Sequence, residues 1–335
     1  MNASEGPALK ELFQDDFWIG AAVNPLTILT QGRLLARHFN SITAENEMKF
    51  GSLHPKEDRY EFVEADRLAG FARKNGMKMR GHALVWHNQS SDWLFQNADG
   101  SLTDKETLYA RLKEHIDTVV GRYKGTIYAW DVVNEAVADE GEALLRNSRW
   151  TEIAGGEFIA QAFRYAHDAD PEAQLFYNDY NETNPTKRDK IYTLVRSLLE
   201  QGVPIHGIGL QAHWSLYHPE LDELRAAIEK YASLGLRLQL TELDLSVFRF
   251  DDRRTDLMKP DPALLELQAV RYESIFRLLR EYRSSIDSVT FWGAADDYTW
   301  LDDFPVKGRK NWPFLFDEQH QPKPAYARLV EAVKG

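Results

Sequence analysis

Eight short apolar stretches, each followed by a segment of helical period, predict a (β/α)8 barrel. Two more observations favour that fold. The chain of 335 residues is long enough to wrap eight such units around one core. Polar side chains gather at the C-terminal end of one strand after another, the end where such barrels keep their sites. An open doubly wound sheet is the alternative, because alternation alone does not require closure. No low-complexity linker or composition break interrupts the chain, so one domain over residues 1–335 is expected.

Residues 17–24 (FWIGAAVN) and 41–47 (SITAENE) read as the first two strands, with a helix over 26–39 between them. A helix over 62–74 stops at Asn75-Gly76, a common C-terminal signal. Residues 78–86 (KMRGHALVW) form the third strand. Leu108, Leu112, Ile116, Val119 and Val120 share a helical face ahead of the fourth strand, 127–136 (IYAWDVVNEA). The fifth is 173–181 (AQLFYNDYN), and Ile191, Leu194, Val195, Leu198 and Leu199 then mark a helix ending at Gly202. The sixth strand is 207–214 (GIGLQAHW), followed by a helix bearing Leu221, Leu224, Ile228 and Tyr231. The seventh is 237–247 (RLQLTELDLSV), with a helix over 262–282. The eighth is 288–296 (SVTFWGAAD), and a helix over 324–333 closes the pattern.

Composition removes several classes of function. A net charge of −12 argues against a nucleic-acid partner. With no cysteine, disulfides, thiolate catalysis and Cys-zinc sites are excluded. No run of 18 apolar residues offers a membrane span. The N-terminal MNASEGPALKELF has neither a basic region nor an apolar run of leader length, which predicts a cytoplasmic protein. Nine tryptophans offer flat apolar faces of the kind that stack on sugars.

Two strands carry acids that an apolar core does not need. The fourth closes with Asp131, Asn134 and Glu135, and the seventh bears Glu242 and Asp244. Removing an ionised carboxylate from water costs several kcal/mol unless it is compensated. Two strand carboxylates far apart in sequence suit glycoside cleavage, in which one protonates the leaving oxygen and the other attacks or stabilises the sugar carbon. Further polar groups sit at the same ends: Glu45, Asn46, Glu47 and Lys49; His82, Trp86, His87 and Gln89; Asn178 to Asn181; Gln211 and His213; and Trp292. A non-catalytic sugar-binding protein would need the aromatics and amides but not two acids. Zinc on His82, His87 and His213 is a further alternative, although neither an HxH pair nor HExxH is present. The pairs Asp251-Asp252 and Asp296-Asp297 read as solvated faces. The cluster Lys307, Arg309 and Lys310 would meet a substrate or its own loop's acids, and Trp18, Trp93, Trp130, Trp150 and Trp312 read as packing.

Seven regions in one order resemble glycoside hydrolase family 10, the endo-β-1,4-xylanases, over nearly the whole chain. They are TAENEMKF (43–50), RGHALVWHNQ (80–89), WDVVNEA (130–136), FYNDYN (176–181), GIGLQAHW (207–214), LTELD (240–244) and TFWG (290–293) with DDYTWLDD (296–303). Ser91 departs from the family, which commonly has proline there. The resemblance implies one catalytic barrel, no cofactor or metal, and xylan or xylo-oligosaccharide as the partner. It implies Glu135 as general acid/base and Glu242 as nucleophile of a retaining mechanism, with carboxyls about 5–5.5 Å apart. By the same matching, Asn134 would bind the 2-hydroxyl of the attacked sugar, and His213 and Asp244 would surround Glu242. Glu45, Asn46, Lys49, His82, Trp86, Gln89 and Gln211 would hold the non-reducing side, and Tyr180 the leaving-group side. Trp292 and Trp300 would wall the cleft. Cellulase-like specificity stays open, because related barrels share both acids.

Overall fold

The computed structural model describes residues 6–334; the opening MNASE, part of the stretch behind the cytoplasmic expectation, lies outside the described residues. Among the described residues nine strands are formed: β1 (Trp18–Val23), β2 (Ser41–Ala44), β3 (Lys78–Trp86), β4 (Ile127–Asn134), β5 (Gln174–Asp179), β6 (Gly207–Leu210), β7 (His213–Ser215), β8 (Arg237–Ser246) and β9 (Ile286–Phe291). Neighbours pair in parallel from β1 to β6, β1 also pairs with β9, and β9 with β8. The β6–β8 pairing closes the ring, so the sheet is a barrel of eight parallel strands and not an open one. The short β7 continues β6 and pairs with β8 alone.

Each barrel strand is followed by a helix that covers it: Gly32–His38, Val63–Lys74, Lys105–Tyr123, Glu157–Ala169, Pro185–Glu200, Leu221–Ala232, Pro262–Glu281 and Pro324–Lys334. Leu108, Leu112, Ile116, Val119 and Val120 are all buried, as their spacing predicts. Asp104 caps that helix by accepting from the Thr107 N–H at 2.8 Å. None of the described helices is long and apolar enough to cross a membrane.

Several expected boundaries move: the second, fourth and fifth strands end at Ala44, Asn134 and Asp179, two or three residues early, and three further changes have a visible cause or place. The helix over 26–39 splits at Gln31 into Thr27–Thr30 and Gly32–His38. The sixth strand breaks because Ala212 adopts a left-handed backbone, φ 60°. The eighth strand ends at Phe291, and Gly293 then takes φ 147° with the Phe314 ring only 2.6 Å from where a Cβ would stand.

The interior is not wholly apolar. Buried Arg80 on β3 grips Asp131 on β4 with two bonds, 3.0 and 2.7 Å, and donates to Gln239 on β8 at 2.6 Å. Burial pushes Asp131 up, but Arg80 and His82 outweigh it and hold its pKa at about 2. Removing one partner of such a pair costs about 3–5 kcal/mol. This pair also orients the mouth of the barrel, since Asp131 faces His82 Nδ1 at 2.9 Å.

Candidate active site

Glu242 and Glu135 reach the barrel mouth in different ways. Glu242 lies inside β8, just past the last residue paired with β6, Leu240, and within a register shift against β9 between Leu240 and Leu243. Glu135 is the residue after β4, where the backbone turns left-handed with φ 58°. That conformation costs a non-glycine residue about 1–2 kcal/mol, so the surroundings must hold it. The Glu135 N–H donates to the Asn178 carbonyl at 2.9 Å, and Arg146 Nε donates to the Glu135 carbonyl at 3.1 Å.

A chain of amides joins the two carboxyls. Glu135 Oε1 accepts from Gln211 Nε2 at 2.9 Å, and the same nitrogen lies 3.1 Å from Asn134 Oδ1. Asn134 Oδ1 also accepts from Asn178 Nδ2 at 2.9 Å, and that nitrogen is 2.9 Å from Glu242 Oε1. Thr241 Oγ1 donates to Asn178 Oδ1 at 2.6 Å and thereby fixes which end of the amide faces the acids. Trp86 Nε1 donates to the second Glu135 oxygen at 2.7 Å.

Glu242 is buried and surrounded by nitrogen. His213 Nε2 stands 2.9 Å from Oε2, and His82 Nδ1 is 3.9 Å from Oε1. The other nitrogen of His213 faces Asp244 Oδ2 at 3.0 Å, and Trp300 Nε1 donates to that same oxygen at 2.8 Å. Burial alone would lower the His213 pKa, but Asp244 and Glu242 carry it up to about 10, so the ring is an imidazolium at neutral pH. Burial alone would raise Glu242; His82 and His213 outweigh it, and the carboxyl sits below its ordinary range. It is therefore ionised at neutral pH.

The remaining expected residues form a rim. Lys49 Nζ donates to Asn46 Oδ1 at 2.9 Å and to Gln89 Oε1 at 3.0 Å, and lies 4.9 Å from the centre of the Trp86 ring. Burial lowers the Lys49 pKa, against the pull of Glu242 and Glu45. Glu45 accepts from Asn24 and from the Tyr298 hydroxyl, both at 3.0 Å. Trp292 meets His82 edge-on at 5.4 Å, and Trp300 packs 4.9 Å from His213. On the other flank Tyr180 donates to Asp139 at 2.5 Å and accepts from Arg146 at 3.0 Å. Ser91 ties its loop down in its own way, donating to the His54 carbonyl at 2.8 Å.

Some sequence readings need correction. Asp296 is not on a solvated face: it is buried, accepts from Lys323 Nζ at 2.7 Å and caps the Phe314 N–H at 2.9 Å. Of the basic cluster expected to meet a substrate or its own loop's acids, Lys310 does meet the loop's Asp302, at 2.7 Å, while Arg309 is buried 3.9 Å from the Phe248 ring centre. Among the described residues, no three His, Asp or Glu side chains converge as metal ligands. Asn178, the hub of the amide chain, was visible in sequence only as one of four successive polar residues at a strand end. Thr241, Asn24, Tyr298 and Arg146 gave no signal of their own.

A strand carboxylate held between imidazoles, facing a strand-end glutamate across amides, fits the family resemblance, and comparison with known proteins agrees. The family model described as glycosyl hydrolase family 10 matches residues 8–332. An endo-1,4-beta-xylanase of Geobacillus stearothermophilus is 60% identical, over 97% of this chain and 98% of that protein. Endo-1,4-beta-xylanase B of Paenibacillus barcinonensis is 56% identical, over 98% of this chain and 99% of its own. A crystal structure of a xylanase from that organism, complexed with a conduramine derivative, superposes with TM-score 0.96, covering 98% of this chain and 99% of that one at 56% identity. With the motifs, the closed barrel and near-complete matches all pointing one way, the chain belongs to glycosyl hydrolase family 10.

Proposed function

We propose that the chain is an endo-1,4-β-xylanase that hydrolyses β-1,4-xylosidic bonds in xylan and xylo-oligosaccharides with retention of configuration, and that residues 1–335 act as one catalytic domain. The observation that supports this most directly is the setting of Glu242. Glu242 is ionised between His82, His213 and Asn178, as a nucleophile must be. Glu135 sits across the amide chain from it, beside Trp86.

In this reading Glu135 gives its proton to the glycosidic oxygen as that bond breaks. Glu242 attacks the anomeric carbon and forms an α-linked glycosyl-enzyme. Glu135, now a carboxylate, takes a proton from water, which displaces Glu242 and restores the β configuration. Asn134 holds the 2-hydroxyl, a contact that strengthens at the transition state. Asp244 and His213 keep Glu242 ionised and aimed. Glu45, Asn46, Lys49, His82, Trp86, Gln89 and Gln211 hold the non-reducing side, Tyr180 the leaving-group side, and Trp292 and Trp300 wall the cleft.

Xylose lacks the hydroxymethyl group of glucose, so a close wall beside its 5-carbon excludes glucose polymers; Trp292, Trp300 and Lys49 are the residues assigned to it. Matched aryl xylobioside and cellobioside test the assignment. We expect kcat/KM at least about tenfold higher on the xylobioside, or about 1.4 kcal/mol, with the β anomer appearing first by NMR. Equal rates, or an α product, would overturn the reading.

A further inference from the structure

Arg146 joins three parts of the site that no shared strand connects. It comes from the loop after β4, eleven residues beyond Glu135, and its Nε donates to the Glu135 carbonyl at 3.1 Å. Its Nη2 donates to Asp139 at 2.8 Å and to the Tyr180 hydroxyl at 3.0 Å. Asp139 is braced from behind by buried Lys187, 2.5 Å from its other oxygen, and Lys187 is held in turn by Asp179 at 3.1 Å. Burial pushes Asp139 up, but Lys187, Tyr180 and Arg146 hold its pKa at about 2, so the guanidinium keeps its anionic partner throughout the working range. The planar fork is thus fixed at its outer end and presents one N–H to a peptide that would otherwise relax.

We infer that Arg146 is a positioning residue for the acid/base: by holding the carbonyl of the left-handed Glu135 peptide, it keeps the Glu135 carboxyl aimed at the glycosidic oxygen. The same fork links that peptide to Tyr180 on the leaving-group side, so aim and leaving-group contact share one anchor. This inference rests on the role proposed for Glu135. Arg146 reaches proton donation through Glu135 and leaving-group binding through Tyr180. The Tyr180 part is common to all aryl leaving groups, so the part of its loss that grows with the leaving group's need for a proton reports on Glu135.

The test is kcat/KM across aryl β-xylobiosides, from dinitrophenyl to phenyl leaving groups, for the wild type, Arg146→Ala, Arg146→Lys and Glu135→Ala. Displacement by about 1 Å costs a catalytic group on the order of a hundredfold. Both Arg146 variants should therefore lose about that factor on the phenyl substrate. On the dinitrophenyl substrate, whose leaving group needs no proton, the loss should stay within roughly threefold. Arg146→Lys keeps the charge opposite Asp139, but one ammonium cannot span both Asp139 and the Glu135 carbonyl; it carries the test if Arg146→Ala does not fold. Equal losses on both substrates, tracking a fall in Tm, would overturn the inference in favour of a purely structural role. Should Glu135→Ala itself show no dependence on the leaving group, the proposed role of Glu135 falls. If Glu135→Ala shows it and the Arg146 variants do not, only the inference on Arg146 falls.

Discussion

His213 stands between two carboxylates, with Nε2 2.9 Å from Glu242 and Nδ1 3.0 Å from Asp244. With its pKa at about 10, it donates through both nitrogens at neutral pH. Replacing it with Asn removes a positive charge and one donor from Glu242. The Glu242 pKa, now held below its ordinary value, should rise, and protonated Glu242 cannot attack. The acid limb of kcat/KM on dinitrophenyl xylobioside should therefore shift toward neutral pH. A lost hydrogen bond to a charged group is worth about 1.5–3 kcal/mol, so roughly a ten- to hundredfold drop is expected on the plateau. An unmoved acid limb would contradict the arrangement.

Gly209 on β6 gives a test that changes no polar group. A Cβ there would lie 2.2 Å from Asn178 Oδ1 and 2.9 Å from the Thr241 methyl. Gly209→Ala must therefore push Asn178 aside, and with it the amide bonded to Glu242 and Asn134. Overpacking of this kind costs about 1–3 kcal/mol in stability. The kcat on xylan should fall by more than tenfold, since small displacements of catalytic groups are expensive. A stable variant with wild-type kcat would show that Asn178 is dispensable.

His115 predicts how the fold responds to acid. It is fully buried, stacked 3.9 Å from Phe50, with Nδ1 3.2 Å from His54 Nδ1 and no partner at Nε2. His54 Nε2 faces the Glu57 carbonyl at 3.1 Å, so it donates there and accepts from His115. Burial, together with the charge His54 would carry, drives the His115 pKa well below 6.5, and burial lowers His54 against the pull of Glu57 and Glu114. Below about pH 6.5 the unfolded chain takes up protons that the folded pair refuses. Stability should then fall as pH drops, by up to about 1.4 kcal/mol per pH unit for each group. His115→Gln should be less stable at pH 7 by roughly 1 kcal/mol, yet lose stability less steeply between pH 6.5 and 4.5. Urea midpoints at the two pH values measure this, and parallel slopes would rule the pair out as a source of acid sensitivity.

Much of this architecture was written locally. Residues 78–86 were recognisable as a strand from an apolar run after Asn75-Gly76, and β3 has those bounds. Glu135 and Glu242 stood out because charge in a β-run demands an explanation. What local sequence does not carry is partnership across the barrel. Asp296 looked solvated beside Asp297, and only the fold brings Lys323, 27 residues away, against it. The break in the sixth strand falls on Ala212, a residue type with no preference for a left-handed backbone. Asn178 carries no charge to betray its burial, and its importance appears only when the ends of β4, β5, β6 and β8 bring three amides and two acids together. Arg146 sits in a loop whose sequence gives no reason for an arginine until Glu135, Asp139 and Tyr180 surround it.

The proposed division of labour between the two glutamates predicts opposite products from their alanine variants. If Glu242 is the nucleophile, Glu242→Ala opens a gap beside the anomeric carbon on the face opposite the leaving group. Azide filling that gap attacks once and gives an α-glycosyl azide. If Glu135 is the acid/base, Glu135→Ala still forms the glycosyl-enzyme from dinitrophenyl xylobioside, whose leaving group needs no protonation. The intermediate then stalls, because no base activates water. Azide needs no base, attacks that intermediate from the other face and gives a β-glycosyl azide. Glu135→Ala should also lose far more activity on xylan than on the dinitrophenyl substrate, by about 10²–10⁴-fold, the usual weight of general acid catalysis. The anomers are distinguished by NMR, and obtaining the same anomer from both variants, or the reverse assignment, would refute the roles.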